Sequence, residues 1–105
     1  MDTEIQKRIA EFVGRYGLTA PAPYRVLDLA SEVGELSKEI LKATNYGERE
    51  FRPSEGWEEE LGDVLVSLIC VANSTEVDLE QALLKVLGKY RECIESRQDA
   101  GSGRS

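Results

Sequence analysis

The chain has 105 residues, a formal net charge of −7, two cysteines and no histidine, with a sequence pI near 4.6. This length predicts one domain with a modest core, near the size at which association with another chain helps stability. The acidic balance argues against duplex nucleic acid or an anionic membrane as a partner, because both attract basic surfaces. Two cysteines within apolar helical patterns make neither a disulfide framework nor a zinc site.

The first predicted helix covers residues 3–16, where apolar side chains recur at helical spacing until Gly17 stops the run. Its opening, MDTEIQKRIAEF, lacks the apolar centre of a secretory signal. No apolar run in the sequence approaches the ~20 residues of a membrane span. We therefore expect a cytoplasmic protein with no membrane partner.

Pro21 and Pro23 suit the start of a second helix, from about Tyr24 to Thr44. One of its faces is apolar, and the other carries four carboxylates within about 60° of azimuth. Like charges at i, i+4 destabilise a helix by about 0.2–0.5 kcal/mol per pair, so this acidic stripe is mildly unfavourable by itself. For this helix alone, a solvated acidic face and a ligand site both stay open. The stripe consists of Asp28, Glu32, Glu35 and Glu39.

The connection NYGEREFRPS is long enough to suggest a functional loop and mixes aromatic residues, such as Tyr46, with basic ones. Ser54 is predicted to cap a third helix that runs to about Asn73. The segment EEELGDVLVSLICVA is apolar on most of its circumference, which indicates burial among several neighbours. Its one polar strip carries Glu60 and Asp63, spaced i, i+3.

Two carboxylates in such a helix enter a crowded bundle, where an unpaired charge costs several kcal/mol. Pairing with Lys or Arg, protonation, or a divalent metal would each relieve that cost. Oxygen ligands without histidine favour a hard cation such as Mg²⁺ or Mn²⁺ over Zn²⁺. A structural salt-bridge cluster remains the competing interpretation. Trp57 precedes Glu60 by three residues and so lies near the acidic strip, although a Trp at a helix start more often belongs to a core.

A fourth helix is predicted to begin at Asp78, which forms a capping box with Gln81. It carries one apolar stripe, with Lys85 and Lys89 together on the other side. These lysines are either solvated or, if the helix packs beside the acidic helices, within reach of a phosphate. The Gly- and Ser-rich residues 98–105 predict a disordered tail or a cloning remnant, after a single domain over residues 1–97. The predicted fold class is all-α.

The sequence resembles the MazG-like all-α nucleotide pyrophosphohydrolases in four segments. In chain order these are EVGEL, EELGDVL, VDLEQAL and KYRE. That superfamily includes the dCTP pyrophosphatases, the dimeric dUTPases and phosphoribosyl-ATP pyrophosphatase. The resemblance covers roughly residues 24–92, and its specific core is an ExxE helix followed by an ExxD helix. It implies a four-helix chain that forms a helical bundle completed by dimerisation, as a homodimer or a homotetramer.

The resemblance also implies a Mg²⁺-dependent hydrolysis of a (d)NTP to a (d)NMP and pyrophosphate in nucleotide-pool house-cleaning, with Mn²⁺ as a substitute ion. A metal-activated water would attack the α-phosphorus, and Glu35, or else Glu39, would accept its proton. The implied metal ligands are Glu32, Glu35, Glu60 and Asp63. The expected substrate contacts are Lys42, Tyr46, Trp57, Lys85 and Lys89.

The sequence departs from the family pattern at three positions. Ser31 stands where many members have another Glu, and Leu87 stands where MazG-type members often have Asn. Lys42 stands where some dCTP pyrophosphatases have an aromatic residue, so the preferred base is not predicted. Two alternatives remain: phosphoribosyl-ATP pyrophosphatase, which would use the same metal helices, and a non-enzymatic helical interaction module with solvated acids.

Overall fold

The computed structural model describes the backbone of residues 3–100 and the side chains of residues 4–97. This part of the chain forms four α-helices and no strand, which confirms the all-α prediction. Helix α4 continues through the first residues of the predicted 98–105 tail, and the rest of that tail lies outside the described residues. No helix in the described part is both long enough and apolar enough to cross a membrane. The helices are α1 (Thr3–Arg15), α2 (Ala22–Ala43), α3 (Trp57–Ser74) and α4 (Leu79–Ala100).

Glycine and proline set the boundary between α1 and α2 as the sequence predicts. Gly17 adopts the left-handed conformation, with φ +67°, and the Leu18 N–H donates back to the Val13 carbonyl at 2.9 Å. This is the usual way in which glycine ends a helix. Pro21 is the N-cap of α2, and Pro23 falls in its first turn, where a missing N–H leaves no helical hydrogen bond unmade.

The predicted Ser54 cap of α3 is wrong. Gly56 is the N-cap residue, without a side-chain hydrogen bond, because the Ser54 carbonyl accepts the Trp57 N–H in a turn that precedes the helix. The Ser54 hydroxyl instead donates to Glu39 Oε1 at 3.4 Å. This contact ties the loop before α3 to the last turns of α2.

The first turn of α4 is capped by Asp78, whose Oδ1 accepts the Gln81 N–H at 3.1 Å. This bond is the Asp78 half of the predicted capping box. The turn between α3 and α4 is tight, since Glu76 is left-handed with φ +58° and the Val77 N–H donates to the Ala72 carbonyl at 2.9 Å. The chain therefore changes direction sharply before α4.

Helices α2 and α3 run antiparallel, because the middle of α2 lies beside the first turns of α3 and its end lies beside the residues just before α3. Helix α1 packs on the other half of α3, where Gln6 bonds to Asn73. The buried apolar side chains of the described residues all lie in that half of α3: Ile69, Cys70 and Ala72. The acidic positions and the core thus occupy opposite ends of α3.

Helix α4 packs little against the other three helices. The radius of gyration is 18.1 Å, compared with about 13 Å for a compact chain of this length. The predicted bundle is therefore, within one chain, a three-helix core with a projecting fourth helix. Apolar side chains on α2, α3 and α4 stay exposed, among them Val33, Ile40, Leu61, Leu65, Leu83, Leu87, Tyr90 and Ile94.

Candidate metal and nucleotide site

Three of the predicted metal ligands come together between α2 and α3. Glu32 from α2 and Glu60 and Asp63 from α3 each offer one carboxylate oxygen, and these oxygens lie within 4.8 Å of one another. Glu60 and Asp63 share a face because they are nearly one helical turn apart, and the antiparallel pairing brings Glu32 opposite them. Glu32 and Glu60 are half-buried, whereas Asp63 is exposed. We call these three residues the carboxylate cluster.

The carboxylate cluster has no counterion in the described part of the chain. The three members of the acidic stripe that lie outside the cluster, all on α2, each form an i, i+3 ion pair with a basic side chain. Within residues 4–97, no Lys or Arg nitrogen lies within 4.0 Å of a carboxylate of the cluster. The structure therefore does not supply the salt bridge that the competing interpretation requires. The ion pairs join Arg25 to Asp28 at 3.8 Å, Lys38 to Glu35 at 3.7 Å and Lys42 to Glu39 at 3.7 Å.

Glu60 experiences the strongest effect of this crowding. Its Oε2 atom is buried and has no hydrogen-bond partner among the described residues. Desolvation raises the pKa of Glu60 above its ordinary 4.5, and the negative charges of Asp63, Glu35, Glu32 and Glu39 raise this pKa further. A proton or a cation would relieve both effects. Because the donors are oxygen atoms alone, the cluster suits a hard divalent cation.

The two residues expected to handle the proton lie beside the cluster. Glu35 was also expected to bind metal, but its Oε2 pairs with Lys38, and its side chain is 47% exposed. Its charge still acts on Glu60. The Glu39 side chain is 29% exposed and accepts the hydrogen bond from Ser54. The structure therefore unites three of the four predicted ligands and leaves Glu35 on a neighbouring ion pair.

The predicted substrate residues near α2 and α3 lie in the last turn of α2, in the loop that follows it and at the start of α3. Lys42 is held by Glu39. Tyr46 is 76% exposed in a loop whose backbone is left-handed at that residue, with φ +58°. Trp57 is half-buried and meets Phe51 edge to face, with ring centroids 5.1 Å apart. The sequence placed Phe51 in the mixed aromatic and basic loop but gave no sign that it would support Trp57.

Lys85 and Lys89 stand apart from this arrangement. Both are exposed on α4, which does not pack along α2 or α3 of the same chain. These lysines were expected to reach a phosphate only if the fourth helix packs beside the acidic helices. Within one chain that packing does not occur.

Comparison with known proteins places this geometry in a family. The model of the MazG nucleotide pyrophosphohydrolase domain matches residues 25–97, which include all of α3 and most of α2 and α4. YpjD of Bacillus subtilis (strain 168), described as an uncharacterized protein, is 34% identical over 91 residues, which are 83% of this chain and 80% of YpjD.

Solved structures agree with the family match. The Bacillus-conserved MazG protein, a nucleotide pyrophosphohydrolase, is 34% identical with a TM-score of 0.70, over 84% of this chain and 86% of that one. The putative pyrophosphatase YpjD from Bacillus subtilis is 32% identical with a TM-score of 0.71, over 86% and 92% of the chains. For iMazG from Vibrio DAT 722 the identity is 33% and the TM-score 0.58, over 84% and 93%. The protein belongs to the MazG nucleotide pyrophosphohydrolase family and is a hydrolase of phosphoric anhydride bonds.

Proposed function

We propose that the protein hydrolyses nucleoside triphosphates between the α and β phosphates, releasing a nucleoside monophosphate and pyrophosphate. The natural role that we propose for this reaction is nucleotide-pool house-cleaning. The observation that carries the proposal is the carboxylate cluster, which gathers three acidic side chains from two helices without a counterion. A polyanionic substrate cannot approach such a cluster unless a cation lies between them.

The proposed cation is Mg²⁺, with Mn²⁺ as a substitute, held by Glu32, Glu60 and Asp63 together with Glu35. The buried, unpartnered Oε2 of Glu60 supports this assignment, since it lacks the hydrogen bond that a buried carboxylate oxygen normally makes. When bound, a divalent ion neutralises the triphosphate and lowers the pKa of a water molecule. Glu35 would complete this ligand set if its carboxylate turned away from Lys38, with which it is paired at 3.7 Å.

Glu35 is the proposed proton acceptor, and Glu39 is the alternative. The oxygen of the attacking water forms a bond to the α-phosphorus, while the bond from this phosphorus to the bridging oxygen breaks and pyrophosphate leaves. The proton of the water passes to a carboxylate that is not fully committed to metal. Glu35 suits this role because it is next to the cluster and half-exposed.

The aromatic and basic residues in the last turn of α2, in the following loop and at the start of α3 are proposed to hold the nucleotide. Trp57 and Tyr46 offer faces for the base, and base stacking on an aromatic side chain contributes about 1–3 kcal/mol. Lys42 offers a charge for the phosphates. Lys85 and Lys89 are proposed to meet the phosphates once assembly places an α4 beside an α2–α3 pair.

Assembly is the second part of the proposal, as a homodimer or a homotetramer. The core of the described chain is small, and α4 leaves an apolar stripe uncovered. Exposed apolar side chains that recur along one face of a helix are typical of an interface between chains.

Metal dependence is the first test. We expect pyrophosphate release from common nucleoside triphosphates with Mg²⁺ or Mn²⁺, and loss of that release in a chelator. A substrate panel that includes phosphoribosyl-ATP separates the two pyrophosphatase candidates. Diphosphate and orthophosphate as the main products would contradict attack at the α-phosphorus.

Isosteric variants separate a metal site from a salt bridge. Glu32→Gln or Asp63→Asn keeps shape and removes one charge, so activity should fall by orders of magnitude while metal-free stability holds or rises. The metal-induced gain in melting temperature should shrink, because a ligand stabilises the native state according to its affinity. Glu59→Gln, at an exposed neighbouring position, is the matched control. A loss of about 3–5 kcal/mol in metal-free protein would instead indicate a buried salt bridge.

The pKa of Glu60 gives a pH test of the repulsion. Because this pKa is raised in the folded protein, the native state binds more protons than the unfolded state between pH 4.5 and the raised value. The free energy of unfolding of metal-free protein should therefore decrease as pH rises through that window. Glu60→Gln should remove this decrease in chemical denaturation, and Glu59→Gln should preserve it. An unchanged decrease in Glu60→Gln would show that Glu60 is not its source.

Sedimentation tests the proposed assembly. We expect a dimer or tetramer at micromolar concentration, because an isolated chain would leave its apolar stripe in water. The double variant Leu83→Glu and Leu87→Glu should dissociate the dimer or tetramer. Arg97→Glu, at an exposed position near the end of α4, should not. A stable, folded monomer of the wild-type protein would contradict the proposal.

A further inference from the structure

Gln6 is buried at the junction of three helices. It belongs to α1, its exposed fraction is 7%, and its side-chain amide meets the end of α3 and the start of α4. Its Nε2 donates to Asn73 Oδ1 at 3.0 Å and to the Val77 carbonyl at 2.9 Å. Its Oε1 accepts the Leu79 N–H at 2.8 Å. A single amide thus binds α3, the connecting turn and the first residue of α4.

Asn73 completes this junction from the other side. Its Nδ2 donates to the Gln6 carbonyl at 3.1 Å, so each of the two residues donates to the other. A buried amide paired with a half-buried one holds a defined geometry, because a shift of either partner leaves a polar group without a hydrogen bond. We call Gln6 and Asn73 with their four hydrogen bonds the amide clasp.

The amide clasp acts where α4 has little other support. The helix makes few contacts with the rest of its chain, and its first turn is held by Asp78 from within and by Gln6 from α1. Its 22 residues span about 33 Å at 1.5 Å per residue. A rotation of about 10° at Leu79 would move the far end by about 6 Å and Lys89 by about 2.6 Å.

We propose that Gln6 is a positioning residue for nucleotide binding, because the amide clasp fixes the angle at which α4 leaves the α1–α3 core. This inference rests on the proposed function, in which Lys85 and Lys89 of α4 contact the phosphates. A displacement of about 2–3 Å exceeds the tolerance of a hydrogen-bonded ion contact. Gln6 itself touches neither substrate nor metal.

The kinetic test uses Gln6→Met, which keeps the length of the side chain and removes all three of its hydrogen bonds. Gln81→Met makes the same change at an exposed position and is the control. We expect the KM of the nucleoside triphosphate to rise at least tenfold for Gln6→Met, with kcat within about twofold of wild type, since the binding lysines move and the carboxylates do not. A lower melting temperature with unchanged KM would reduce Gln6 to a structural role and overturn the inference.

A distance measurement tests the clasp without relying on activity. Spin labels at Ser37→Cys on α2 and Glu95→Cys on α4, both exposed positions, report the direction of α4. The background carries Cys93→Ser and keeps the buried Cys70, and dilution with unlabelled protein isolates distances within one chain. We expect the distance distribution to shift or broaden by at least about 4 Å when Gln6→Met is added. This is the displacement that a rotation of about 10° at Leu79 would give at Glu95.

The two measurements distinguish the possible failures. An unchanged distance overturns the inference, because α4 is then held by something other than the amide clasp. A changed distance with unchanged KM overturns the link to nucleotide binding. If the wild-type protein hydrolyses no nucleotide, the proposed function fails, together with the link to nucleotide binding, and the distance measurement still decides whether the clasp sets the angle of α4.

Discussion

Electrostatic repulsion within the carboxylate cluster is the constraint on which the rest of the site depends. Antiparallel packing of α2 and α3 brings Glu32 against Glu60 and Asp63, and the favourable packing along the two helices holds the three charges together. Elsewhere on α2, an acid has a basic neighbour one turn away. The fold therefore keeps uncompensated negative charge where α2 and α3 meet. Carboxylate oxygens gathered in this way suit a hard divalent cation.

The two halves of α3 carry different side chains and pack against different helices. Its second half carries the buried apolar residues and packs against α1, while its first half carries the acids and contacts α2. Helix α4 does not cover the apolar side chains that stay exposed on α2 and α3, and it projects with its own apolar stripe exposed. A small domain that devotes one end of its central helix to charge has less core to stabilise it. The proposed second chain would add to that core by covering the exposed apolar side chains.

Local patterns predicted much of the fold and part of the site. Helical periodicity, Gly17 and the prolines gave the helices nearly to their ends, because these signals act through nearby backbone. The i, i+3 spacing of Glu60 and Asp63 predicted their shared face for the same reason. Ser54 was misread as a cap because its hydroxyl is satisfied by Glu39, fifteen residues away. The direction of α4 depends on Gln6, a polar residue with no sequence signal that would distinguish it from a surface glutamine.

Glu35 shows where spacing stops being informative. Its position in ExxE resembles that of a ligand, yet its carboxylate pairs with Lys38 while Glu32, one turn earlier, enters the cluster. A long side chain on one face can reach either a helix neighbour or the facing helix, and periodicity does not choose between them. In the metal-free chain the helix neighbour Lys38 is the partner of Glu35.

A crystal structure with Mn²⁺ tests the proposed cation site most directly, because the anomalous scattering of Mn²⁺ locates the ion independently of the chemistry. We expect an anomalous peak bounded by Glu32, Glu60 and Asp63, with the Glu35 carboxylate turned from Lys38 towards the ion. A lysine or arginine side chain among these three carboxylates, with no anomalous peak at saturating Mn²⁺, would contradict the proposed site.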